Sequence, residues 1–187
     1  GSFQFSDVVT AVSDKMVRRH PHVFADAEIN NADAQTSAWE EMKAAERLQS
    51  VHKDDASVLA GVPVALPALT RAEKLQKRAA RIGFDWPTPE RVMDKVHEEV
   101  AEVEHELAND GGNDRLADEI GDLLFVCVNL ARKLGIDAET ALRGANGKFE
   151  RRFRAMETAL ADDGGAVNAS LDEMEAGWEA VKLAERT

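Results

Sequence analysis

Tyrosine is absent from the 187 residues, and proline occurs only five times. A β-rich fold draws on aromatic and β-branched side chains between turn-forming residues, so both scarcities point away from one. The hydrophobic 44% and charged 31% are weighted instead toward Ala, Leu, Glu, Lys and Arg, which lose least on entering a helix. An all-α protein is the expectation. Cys127 stands alone within the apolar run from Leu123 to Val128, which excludes a disulfide framework and suits a reduced, cytoplasmic compartment. No run approaches ~18 consecutive apolar residues and no basic, apolar leader opens the sequence, so a soluble chain without a membrane partner is expected. Positive charge is short as well. A net charge of -12 repels a nucleic-acid backbone and leaves small ligands as the candidates. The start at Gly1-Ser2, without Met, reads as a cloning remnant or a cut inside a longer protein.

Apolar spacing predicts helices over 7–19 and 37–48, followed at 51–67 by a linker carrying Asp54-Asp55, Gly61, Pro63 and Pro67. Helical patterns resume over 68–82 and stop at Gly83 and the turn Trp86-Pro87-Thr88-Pro89. Thr88 as N-cap and Pro89 at the first helical position then open a helix to about residue 109. The turn at 110–113 leads into an antiparallel partner over 114–134, ended by Gly135. A long helix over 137–160 and a last one over 171–185, capped by Ser170 with Glu173, complete the pattern. An internal echo joins the two ends of the chain. Lys15-x-x-Arg18-Arg19 followed by Trp39-Glu40-x-x-Lys43 returns as Lys148-x-x-Arg151-Arg152 followed by Trp178-Glu179-x-x-Lys182. Residues 1–50 therefore read as the tail of an earlier repeat lacking its opening half, and 68–187 as the complete unit.

Between Arg91 and Phe125 eleven acids face three bases. Solvated helix faces are the ordinary reading of such a run, and helical phase argues for more. Val96, Val100, Val103 and Leu107 define an apolar stripe with Glu99 and Glu102 on its flank. Leu116, Ile120, Leu123, Cys127, Leu130 and Leu134 define another, with Glu119 and Asp122 on the matching flank. In an antiparallel hairpin the four carboxylates converge, and close carboxylates beside a core call for a neutralising cation. Oxygen ligands favour Mg2+, with Mn2+ as a substitute, over zinc. Glu102-x-x-His105 fits half of a di-iron bundle motif, but the second helix offers Glu119-x-x-Asp122 instead, and His105 lies opposite the stripe.

From Arg143 to Arg154 the balance reverses, with Arg143, Lys148, Arg151, Arg152 and Arg154 against Glu150 alone. Lys148 and Arg152 share one helix face, above a core stripe of Phe149, Phe153, Met156 and Leu160. Trp178 and Lys182 repeat the four-residue spacing on the last helix. A salt-bridged face and a core or interface Trp are the plain alternatives. Carboxylates for a metal, cations for phosphates and an aromatic platform are together the parts that hold a nucleotide. A non-enzymatic helical module with a structural metal is the rival from another class.

Glu98-Glu99-Val100-Ala101-Glu102 and, sixteen residues on, Glu119-Ile120-Gly121-Asp122 resemble the paired acidic signature of the MazG-like, all-α nucleoside triphosphate pyrophosphatases. The likeness extends through Ala145-Asn146-Gly147-Lys148-Phe149 and Trp178-Glu179-Ala180-Val181-Lys182. It implies a four-helix bundle that packs across a homodimer interface and hydrolysis of an NTP to NMP and pyrophosphate. By the same resemblance Glu99, Glu102, Glu119 and Asp122 hold Mg2+, and Lys148 and Arg152 bind phosphates and act in catalysis. Asn146, Arg151, Trp178 and Lys182 complete the nucleotide site, and Glu98 positions or deprotonates the attacking water.

Overall fold

The computed structural model describes residues 4–19, 21–24, 57–109, 112–161 and 165–185, and among these every regular element is helical. The expected helix at 37–48, with Trp39 and Lys43, lies outside the described residues, as do residues 110–111 of the hairpin turn. The chain divides into two compact units, Gly1–Gly61 and Val62–Thr187.

In the first unit α1 (Phe5–Arg19) is followed by the short α2 (Pro21–Phe24), which opens on Pro21. No residue of α1 is buried, and its stripe of Phe5, Val8, Val9, Val12 and Met16 is exposed.

The second unit contains α3 (Ala68–Arg81), α4 (Pro89–Ala108), α5 (Asn113–Lys133), α6 (Ala138–Ala159) and α7 (Leu171–Ala184). Their ends follow local chemistry. Gly83 and Gly135 adopt φ of 87° and 71°, and each closes a Schellman motif. Phe84 N–H donates to Ala79 O at 3.1 Å, and Ile136 N–H to Ala131 O at 2.8 Å. Asp137 caps α6 by accepting from Thr140 N–H at 2.6 Å, and Ser170 with Glu173 forms a full capping box on α7. Thr88 has the extended backbone of an N-cap, but its side chain makes no capping bond; its hydroxyl pairs with the Glu90 carboxylate, which is held below its ordinary range.

Helices α4 and α5 form the closest pair, α7 packs on α6, and α3 lies against α5 and α6. The core rests on Val92, Val126, Val128 and Met156. The hairpin's inward seam is rotated from the one the apolar spacing predicts. On α4 it runs through Val92, Val96, Glu99, Val103 and Glu106, and on α5 through Leu116, Glu119, Leu123, Val126 and Leu130. Val100, Leu107, Ile120, Leu124 and Leu134 are left exposed. The physical reason is that acids occupy the seam itself rather than its flank, which turns part of the apolar surface outward. Arg115 on α5 pairs with the mostly buried Glu106 on α4 at 3.6 Å, close to the turn that joins the two helices.

Candidate active site

The rotated seam brings carboxylates together. Glu99, Glu119 and Asp122 each offer an oxygen within 4.8 Å of the others, with Glu99 buried, Glu119 half-buried and Asp122 exposed. Glu99 Oε1 is 2.8 Å from Lys95 Nζ, while Oε2 is buried with no hydrogen-bond partner among the described residues. A buried carboxylate oxygen without a donor is costly, and a cation shared with Glu119 and Asp122 would satisfy it. The donor set is all oxygen, as a hard divalent ion requires.

Glu102 is exposed and lies outside the converging trio, one turn along α4 from Glu99. Desolvation first, and then the charges of Glu99 and Glu119, raise its carboxyl above the ordinary range, against the pull of Lys95. Glu98 is exposed and lies outside the trio, but it shares the Lys95 ammonium with Glu99, at 2.9 Å. Lys95 itself is a residue that acid counting passed over. Hydrogen bonds to Glu99 and then Glu98 hold its ammonium well above the usual lysine range, so it is the protein's own counter-charge at this site. Its signal was present in the sequence as the four-residue spacing to Glu99, a spacing shared by many surface pairs.

A second group forms where α7 meets α6. Phe149 stacks on Phe153 at 5.7 Å between centroids and meets Trp178 at 5.4 Å, with planes inclined by 46°. Gly177 permits this approach, since a Cβ there would lie 3.1 Å from Met156 Cγ. Trp178 is half-buried and Phe149 exposed, so the pair presents an aromatic ledge rather than a core. Arg151 and Arg152 both reach Glu185, and Lys182 pairs with Glu179 at 2.6 Å. Lys148 and Asn146 are exposed on α6. No ion pair joins these cations to the acidic trio among the described residues. Glu185 too was overlooked as a site residue, although the internal echo continues three residues past Lys43 and Lys182 with Glu46 and Glu185.

Residues 87–156, from the Trp-Pro turn to the buried Met156, match the MazG nucleotide pyrophosphohydrolase domain. The nucleoside triphosphate pyrophosphohydrolase of Escherichia coli K12 is 48% identical over 187 residues, covering 99% of this chain and 70% of the relative. The chain belongs to the MazG family. The nucleoside triphosphate pyrophosphohydrolase/pyrophosphatase MazG of Thermotoga maritima is 37% identical over 188 residues, covering 100% of this chain and 69% of the relative. An uncharacterized Bacillus subtilis protein, YabN, is 41% identical across the whole chain, which spans 37% of its length. The MazG domain match takes in the acidic hairpin and Lys148, Arg151 and Arg152 but stops short of Trp178, Lys182 and Glu185. For those residues the likeness rests on the MazG relatives aligned over essentially all of this chain.

Proposed function

We propose that the protein hydrolyses nucleoside triphosphates, ribo- or deoxyribo-, to NMP and pyrophosphate with Mg2+, for which Mn2+ can substitute. The observation that carries the reading is the convergence of the Glu99, Glu119 and Asp122 carboxylates, one of which, Glu99, is buried with an oxygen that lacks a donor. These three residues, with Glu102 beside them, would hold the ion. When bound, the ion supplies charge neutralisation and polarisation of the phosphate oxygens. Glu98 orients water or takes its proton as the water adds at phosphorus, the phosphoanhydride bond breaks and pyrophosphate departs. Lys148 and Arg152 balance the charge growing on the leaving group, with Arg151 nearby, and Asn146, Trp178 and Lys182 hold the nucleoside end. Residues 68–187 form the working domain, 51–67 a linker, and 1–50 the silent tail of an earlier repeat that lacks the paired acidic motif.

The protein works as a homodimer in the cytoplasm. Its exposed apolar residues on α5 and α6 support the first statement, and its free Cys127 suits the second. Among the described residues no helix is long and apolar enough to cross a membrane. The net charge of -12 disfavours nucleic-acid polymers as substrates.

Incubation with each NTP and dNTP plus Mg2+, with separate assays of pyrophosphate and orthophosphate, tests the reaction. Pyrophosphate and NMP are the expected products. Orthophosphate with NDP as the primary products would assign the cleavage to a different bond and overturn the proposal.

A further inference from the structure

Glu185 lies just past the end of α7, yet its carboxylate is spent on two arginines of α6. Its Oε2 accepts from Arg152 Nε at 2.8 Å and lies 2.6 Å from Arg152 Nη2. Its Oε1 is 3.3 Å from Arg151 Nη2. The two contacts differ in strength. Arg152 is 21% exposed and Arg151 65%, so solvent screens the second far more than the first. We propose that Glu185 is a positioning residue that fixes the Arg152 guanidinium for polyphosphate, an inference resting on the phosphate-binding role proposed for Arg152.

A guanidinium has two forks of parallel N–H donors. Glu185 occupies the one formed by Nε and Nη2, which leaves the Nη1/Nη2 fork to grip two phosphate oxygens. An arginine without such a brace spends rotamer entropy each time it binds, whereas a clamped one presents its fork in advance. The helix pair is built close enough for the clamp to span it. Gly177 lets α7 approach Met156, one turn beyond Arg152 on α6. The Arg152 hydrogen bond also holds the Glu185 carboxyl below its ordinary range, so the clamp stays charged at neutral pH.

The opposite role, a carboxylate competing with phosphate for Arg152, gives effects of opposite sign. Calorimetric binding of inorganic tripolyphosphate with Mg2+, alongside kcat and KM for an NTP, separates the two in Glu185→Gln, Glu185→Asp, Arg152→Ala and the double variant Glu185→Gln/Arg152→Ala. Glu185→Gln is expected to weaken tripolyphosphate about tenfold and to lower kcat as well as raise KM, a loss of the size a charge-assisted hydrogen bond commands. Glu185→Asp, which keeps the charge, should recover most of that loss. On the Arg152→Ala background the second substitution should change binding less than about twofold, because the residue it acts through is gone. Unchanged or tighter binding in Glu185→Gln overturns the inference, as does a full loss on the Arg152→Ala background. A lowered melting temperature with unaltered binding makes Glu185 a mere brace and overturns it too. If tripolyphosphate binds but no NTP yields pyrophosphate, the proposed reaction falls while the binding cycle still decides on Glu185. If the wild-type protein binds no tripolyphosphate, both fall.

Discussion

Glu99 is the only buried acid among the described residues, and it is buried with half of its carboxylate unmatched. Taking a carboxylate out of water costs several kcal/mol unless partners restore what hydration gave. Lys95 restores it for one oxygen, the second has no donor, and the neighbouring Glu119 and Asp122 carboxylates add repulsion. Replacing Glu119 by Gln therefore has two opposite consequences. Turnover is expected to fall by at least ~100-fold, since a ligand charge is lost while the side chain's shape is kept. Thermal stability in EDTA is expected to hold or rise, since one of three mutually repelling charges is gone. Pyrophosphate release and melting curves on the same preparation check both, and retained activity would remove Glu119 from the ligand set. The acids of this site were legible in the sequence because carboxylate spacing on a helix is a local pattern. That Lys95 answers Glu99 was not, because a lysine four residues from a glutamate looks the same over a buried acid as over water.

At the scale of elements, helix ends were the most legible feature. The αL glycines at 83 and 135 and the caps at Asp137 and Ser170 act within a few residues of themselves, so sequence carries the whole cause. Helix phase was less so. Helix α5 is apolar on two sides, and spacing alone does not say which side meets α4; the burial of Val126 and the partial burial of Glu119, with Ile120 and Cys127 exposed, decide it. The latch between the α3–α4 turn and the end of α5 was not legible at all. Asp85 binds Arg132 and Lys133, the latter at 2.6 Å, across 47 and 48 residues of chain. Burial pushes its carboxyl up, but the hydrogen bonds and charges of Arg132 and Lys133 prevail and hold it below 3.8. A carboxyl depressed by folding adds stability that is complete above its unfolded value and fades as pH falls through its folded one. Asp85→Asn should therefore melt below wild type at pH 7, by the equivalent of about 1–3 kcal/mol for a mostly buried ionic hydrogen bond. The gap should begin to narrow as pH drops below about 4, where the unfolded chain's carboxyl starts to protonate, and close only as the folded carboxyl protonates at lower pH. Melting curves from pH 7 to 3 test this, and a gap that stays constant to pH 3 would show that the latch does not act through its charge.

For the whole molecule, the outward apolar surface is the feature that a single chain leaves unexplained. Ile120, Leu124 and Cys127 follow one exposed line along α5 that continues to its C-cap Leu134 and runs beside the α4 seam, and Leu142 and Phe149 add to the exposed apolar area on α6. Exposed aliphatic residues scattered singly are ordinary, but a line along one helix marks a surface that another body covers. Ile120, Leu134 and Phe149 stood in the apolar stripes read from the sequence, which gave no sign of which residues would be covered within the chain. A second copy is the proposed cover, and charge then sets a condition on it. Each copy carries -12, so two copies repel at long range, and burial of apolar surface has to overcome that repulsion. Salt screens the repulsion and leaves the apolar contact in place. Sedimentation should show two copies together, with association tightening between low salt and about 0.5 M NaCl. Leu124→Glu adds a charge to the middle of the line and should shift the protein to single copies, by at least ~100-fold in dissociation constant, while helical circular dichroism is kept. A protein that sediments as a single copy at all salt concentrations, or a Leu124→Glu variant that stays paired, would leave this face for a different partner. Weakening with salt would mean instead that charge pairs, and not this apolar line, hold the copies together.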